Sequence, residues 1–175
     1  QEMLSNLKNS LTSARKTFDN GLIDDSIIEY EKLTKQYSDN GIVYYNLGLI
    51  YKVNNQYGLA VKNYKLAIEL NPFIEKYSQA IKAIAQKIAK EGDVEFRRQE
   101  FDIAINKYNE AIEYYPDYAV AIFKLARTYY KLKDIDNAQI MLERCLSAEP
   151  SQYQAEKMLG DIYRKKDNQD EAIGH

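Results

Sequence analysis

Residues 41–74 read GIVYYNLGLIYKVNNQYGLAVKNYKLAIELNPFI, and the order of small and large side chains within them decides the fold. Ala60, Tyr64, Ala67 and Pro72 form a quartet of small, large, small and proline. The same spacing returns at Ala104, Tyr108, Ala111 and Pro116, and again at Ala138, Leu142, Cys145 and Pro150. Three copies at a fixed spacing mean one structural unit repeated in tandem. Upstream of each quartet lies a second pattern: Tyr44, Leu47, Gly48 and Tyr51, then Ile88, Gly92 and Phe96, then Ile122, Leu125, Ala126 and Tyr129. Steps of three and four residues between such side chains describe one face of a helix. Each unit is therefore two helices joined by a short turn, closed by a proline that cannot continue the second helix.

Gly48 and Ala60 are small enough to let two helix backbones approach to the lower end of the roughly 8–10 Å interaxial range, with tyrosines and leucines filling the space beside them. A helix pair of this kind leaves one apolar side open. Neighbouring pairs must stack to cover it, so the expected architecture is all-α and quasi-linear.

These residues give the chain its resemblance to the tetratricopeptide repeat family, a helix–turn–helix of about 34 residues per repeat. Gly41 to Ile74 matches through Tyr44, Leu47, Gly48, Tyr51, Ala60, Tyr64, Ala67 and Pro72, and Ala119 to Gln152 matches through the corresponding eight side chains from Ile122 to Pro150. An earlier copy runs from Leu7 to Asn40 with Ala14, Gly21, Ser26, Tyr30 and Leu33, degenerate in that Ser10 and Ser38 replace the large residue and the proline. A last copy opens at Tyr153 with Leu159, Gly160, Tyr163 and Ala172. The resemblance implies a right-handed superhelical solenoid of antiparallel helix pairs, a single domain over residues 1–175. Its repeats fall at about 7–40, 41–74, 85–118, 119–152 and 153–175, the last truncated as its second helix begins near Asp170.

One interval breaks the period. From Ala60 to Ala104 is 44 residues, whereas Ala104 to Ala138 is 34, so an extension of ten enters at 75–84. Nothing there stops a helix, and Ile74, Tyr77, Ile81, Ile84 and Ile88 make an apolar seam with alternating steps of three and four. The pattern predicts one long helix from about Glu75 to Arg98. Its seam either packs within the chain or meets another copy, which makes Tyr77, Ile81 and Ile84 candidates for self-association and the protein a candidate homo-oligomer.

Composition bounds the chemistry. The chain is 45% hydrophobic and 29% charged, and no run approaches the ~18 apolar residues that a membrane helix needs. A single cysteine forbids an internal disulfide, and Cys145 falls at a packed small position, where it reads as an inert core thiol. The only histidine is the terminal His175, so histidine-based triads and histidine-rich metal sites lack material. No phosphate-binding glycine motif occurs, and acidic pairs such as Asp24–Asp25 and Asp170–Glu171 read as helix N-terminal charges. The expectation is a chain with no catalytic, cofactor or metal site. Gln1 in place of an initiating methionine fits a cleaved leader or a trimmed chain, which leaves the compartment open, and the C-terminal pattern reads as continuing past His175.

Binding remains, and the resemblance says where. The inner positions of each first helix in this family line a concave groove, and here they include Arg15, Phe18, Tyr45, Leu49, Lys52, Phe96, Arg97, Phe123, Arg127, Tyr130, Lys131 and Arg164. Counted over all such positions, with Lys8, Lys157 and Lys165 added, the groove holds nine Lys or Arg against Asp19, Asp93 and Asp161. That is +6 in a chain whose formal charge is −2. A basic strip with aromatic neighbours suits an acidic, partly apolar partner segment. The implied function is a non-catalytic protein-interaction scaffold, with a docking or regulatory segment of a larger enzyme or assembly as the alternative. The places that form the family's carboxylate clamp for chaperone tails hold Leu11, Arg15, Asn46, Gln86 and Lys90, of which Asn46 alone fits. An isoelectric point near 5.6 disfavours nucleic acid, whose affinity rests largely on phosphate neutralisation.

Overall fold

The structure, a computed structural model, describes residues 2–173; Gln1, Gly174 and His175 lie outside it, as do the side chains of 167–173, Asp170, Glu171 and Ala172 among them. Nine helices and no strand occur among the described residues. They are α1 (Glu2–Asp19), α2 (Ile23–Gln36), α3 (Gly41–Val53), α4 (Tyr57–Leu70), α5 (Glu75–Arg97), α6 (Phe101–Tyr114), α7 (Ala119–Lys131), α8 (Ile135–Ala148) and α9 (Tyr153–Ile173). The chain divides into two compact units, residues 1–84 and 85–175, and the boundary falls inside α5 rather than in a linker.

In the first unit α1 packs on α2, α2 on α3 and α3 on α4. Three of the quartet, Ala60, Tyr64 and Ala67, form the seam of the α3–α4 pair at 0% exposure, while Pro72 is exposed beyond the end of α4. Gly48 is required by that packing, because a Cβ there would lie 2.6 Å from the Tyr64 ring. In the degenerate first repeat Ser26 takes the small position, and its hydroxyl donates to the Ala14 carbonyl at 3.1 Å, so the buried polar atom is satisfied. The second unit repeats the scheme: α6 packs on α7, α7 on α8 and α8 on α9, around Ala104, Tyr108, Ala111, Ala138, Leu142 and Cys145.

The turn inside each complete repeat has one construction. A single residue with a left-handed backbone ends the first helix: Gly21, Asn55, Gln99 or Lys133. The next backbone N–H then donates back across the turn, Gln56 to the Tyr51 carbonyl at 2.9 Å, Glu100 to Glu95 and Asp134 to Tyr129 each at 3.0 Å. This is a Schellman closure, which satisfies carbonyls that the helix end leaves open.

Two expectations need correction. The seam of α5 is not available to a second copy: Tyr77 and Ile84 are at 0% exposure and Ile81 is buried too, with the Tyr77 ring 4.9 Å from that of Tyr45. Apolar burial within the chain has already claimed the face that the seam presents. The last repeat also differs, since no second helix begins near Asp170; α9 runs unbroken from Tyr153 to Ile173. Between Arg164 and Ile173 there is no glycine or proline to end a helix, and the left-handed turn residue of the other repeats has no counterpart at Asp167.

Candidate functional site

In the second unit four of the predicted groove residues come together. Phe123 and Arg127 project from α7, one helical turn apart, and with Tyr130 they face Gln154, Lys157, Met158 and Asp161 of α9 across a depression of about 340 Å³. Phe96 of α5 completes the set: the Arg127 guanidinium carbon lies 4.6 Å from its ring centroid, and that ring meets Phe101 edge-on at 5.4 Å. Phe123 is buried and forms the floor, while Arg127 and Tyr130 are half-buried. Arg97, Lys131 and Arg164 are exposed and do not line the depression.

The acidic groove residues of this unit already have partners. Asp93 accepts from the Tyr108 hydroxyl at 2.9 Å and from the Lys124 ammonium at 2.6 Å. Asp161 pairs with Arg164. Lys165 donates to the Tyr130 hydroxyl at 2.7 Å, a bond that raises the lysine pKa. Arg127 is different. Its Nε is buried with no hydrogen-bond partner among the described residues.

The first unit offers a wider, more open depression of about 750 Å³ between α1 and α3, with Leu4, Leu7, Leu11 and Ile42 giving it apolar walls and Lys8, Arg15 and Lys16 its charge. Here the arginine is occupied, because Arg15 Nε donates to Asp19 at 2.9 Å, and its guanidinium carbon sits 5.4 Å from the Phe18 ring. Tyr45, Leu49 and Lys52 of α3 are half-buried. Tyr45 is held between the rings of Tyr64 and Tyr77, with Lys76 4.8 Å above its face. Sequence reasoning missed Lys76, Lys124 and Met158. Lys76 is brought to Tyr45 by α5, Lys124 to Asp93 by α7, and neither meeting has a local signal. Met158 lies beside the groove position Lys157 and was one residue out of the inner register.

Cys145 is at 0% exposure, its thiol donates to the Ala119 carbonyl at 3.4 Å, and burial pushes its pKa up to about 11. It is a core side chain. No helix among the described residues is long and apolar enough to cross a membrane.

Three family models match this chain: a TPR repeat over residues 92–133 and tetratricopeptide repeats over 42–73 and 119–152, together more than half its length. The chain belongs to the tetratricopeptide repeat family. A curated tetratricopeptide relative, the small glutamine-rich tetratricopeptide repeat-containing protein 2 of Saccharomyces cerevisiae, is 28% identical over 106 residues, which is 61% of this chain. The chain spans about 30% of that relative's length. Among solved structures, a crystal structure of MamA is similar at 25% identity and a TM-score of 0.48, covering 92% of this chain and 88% of that one. The first tetratricopeptide domain of Spaghetti (RPAP3), bound to the HSP90 peptide SRMEEVD, is similar at 20% identity and a TM-score of 0.43, covering 72% of this chain and 92% of its own. Tetratricopeptide repeats are in general non-catalytic interaction modules.

Proposed function

We propose that the scaffold binds an acidic, partly apolar segment of a partner protein on the inner faces of its first helices. One observation carries this reading: in the second unit the groove's carboxylates are spent on neighbours within the chain, while Arg127 is not. The charge left for a partner on that face is positive. The aromatic floor of Phe123 and the flank of Tyr130 supply the apolar part of the contact, where a desolvated anchor contributes most.

Clustered positive charge also steers an acidic partner from a distance, and this holds locally even though the whole chain carries −2. Selection of a displayed random-peptide library on the folded protein tests the proposal. The parallel target carries Arg97→Glu, Lys131→Glu and Lys157→Glu, three exposed positions that leave the core untouched. Enrichment of peptides that combine Asp or Glu with an apolar residue, lost on the variant, is the expected outcome. Basic or neutral peptides, or the same peptides on both targets, contradict it.

A further inference from the structure

In the first unit, Leu47 and Tyr51 lie on the far side of α3 from the inner residues Tyr45, Leu49 and Lys52, since about 100° of rotation per residue sets the two groups roughly 150° apart. They form the floor of a groove between α2 and α4, made of two hollows of about 300 and 420 Å³ that share Tyr51 and Leu59. We infer that this groove docks an amphipathic helix of a partner protein, acidic at its N-terminal end and basic at its C-terminal end, running antiparallel to α2 and α4. It is a second surface, separate from the inner face, and it stands whether or not that face takes an acidic segment.

Both α2 and α4 pack on α3, and their residues meet across the groove in the same order. Asp24 and Ile28 near the start of α2 face Gln56 and Leu59 near the start of α4, and further along Glu31 and Lys35 face Lys62 and Leu66. The walls are therefore parallel helices. From Gln56 to Leu66 the groove is roughly 15 Å long at about 1.5 Å per residue, room for about three turns of a partner helix. Ile28 is 50% and Leu59 42% exposed, and Ile27 and Leu66 are half-buried, so aliphatic side chains on both walls are open to water. The floor is fixed beforehand, because the buried Tyr51 donates its hydroxyl to Glu31 of the α2 wall at 2.6 Å. Walls of helix side chains offer no backbone edge to an extended strand. A helix, which satisfies its own backbone, fits them with Leu or Ile at steps of three and four.

Charge sets the direction of that helix. Asp24 stands at the end where α2 and α4 begin, and Lys35 and Lys62 stand towards the other. All three are exposed, and none has an ion pair among the described residues. Glu31, between them, is engaged by Tyr51. An antiparallel helix brings its first turn to the lysines and its last turn to Asp24. Acid in a first turn and base in a last turn are also what a helix favours through its own dipole, so the partner's stability and the groove's charge agree. A parallel helix would have to carry base first and acid last, against its dipole.

The test uses the ¹⁵N-labelled full chain and the blocked peptide acetyl-EELAQLIAALAKK-amide, with acetyl-QQLAQLIAALAQQ-amide beside it. The charged peptide is expected to shift backbone resonances over residues 27–35 and 56–66 to saturation, and the neutral one to bind about threefold or more weakly. Ile28→Gln combined with Leu59→Gln, both at exposed positions, should weaken the charged peptide about tenfold or more with circular dichroism unchanged. A nitroxide label on the peptide's N-terminus should broaden Lys35 and Lys62 before Asp24 and Gln56. The inference is overturned by equal binding of the two peptides, by equal binding to the double variant, or by a label that broadens Asp24 first. No shift at about 1 mM peptide overturns it as well. Shifts confined to α1 and the inner side of α3 also overturn it, while leaving the proposal for the inner face standing.

Discussion

At the scale of single residues, Tyr64 and Tyr108 occupy the same place in successive repeats, both at 0% exposure, yet their hydroxyls meet different fates. Tyr108 donates to Asp93 at 2.9 Å, whereas Tyr64 has no partner among the described residues because the first helix of its repeat carries Leu49 where the next has Asp93. Tyr108→Phe should therefore lower the unfolding free energy by about 1–2 kcal/mol, and Tyr64→Phe should change it by less than about 0.5 kcal/mol. Denaturant midpoints of the two variants check the difference. Tyr51 makes a pH prediction. Its phenol donates to Glu31 at 2.6 Å, and burial, followed by that hydrogen bond, pushes its pKa from 10.0 to about 12. A folded pKa above the unfolded one stabilises the protein below pH 10, and that contribution is lost as pH rises from about 10 to 12. Tyr51→Phe should flatten the fall in stability across this window; an unchanged slope would mean that the raised pKa is not coupled to folding. The identity of these buried residues was legible in the sequence, because the quartet spacing marks them. Which hydroxyl finds a partner was not, since that depends on a residue fifteen positions away on another helix.

Among the helices, α5 at 23 residues and α9 at 21 are the two longest, and they differ in how far the sequence announced them. The seam from Ile74 to Ile88 with no breaker between predicts α5 to within a residue of its observed Arg97 end. For α9 the family's periodicity pointed to a turn near Asp167, but periodicity alone does not bend a chain without a left-handed residue to end the helix. Gly160 records the consequence. A Cβ at Gly48 would meet the Tyr64 ring at 2.6 Å and one at Gly92 the Tyr108 ring at 2.8 Å, but at Gly160 nothing among the described residues lies within 4 Å. Equivalent glycines should thus respond in opposite directions. Gly48→Ala is expected to destabilise by about 1–3 kcal/mol through overpacking, and Gly160→Ala to stabilise α9 by about 0.5–1 kcal/mol through helix propensity. Thermal melts followed by circular dichroism distinguish the two, and a loss of stability in Gly160→Ala would show that a second helix does pack against α9. The apolar face of α5 was equally visible in sequence, but not its destination; Tyr77 is covered because α3 offers it Tyr45.

For the molecule as a whole, the sequence showed a family and a repeat register, and the resemblance implied a concentration of positive charge at the family's groove positions. It could not show which of those charges were already used. Tetratricopeptide repeats vary freely on the surface, and the pairing of Asp93 with Lys124 or the stacking of Arg127 on Phe96 exists only once separate helices are packed. The same holds for Phe123, whose burial makes it part of the floor and a poor choice for a test that must leave the fold intact. Attraction between a basic face and an acidic segment is screened by salt, with a Debye length of roughly 10 Å at 0.1 M, so binding should weaken as ionic strength rises. The most direct measurement is a fluorescence-anisotropy titration of a labelled acidic, leucine-containing peptide against the wild-type chain and the Arg97→Glu, Lys131→Glu, Lys157→Glu variant, at about 50 and 300 mM salt. Saturable binding by the wild type that weakens at the higher salt, with a loss of about tenfold or more in the variant, is the predicted result. Equal affinity for both proteins, unchanged by salt, would contradict the assignment of binding to the basic inner face.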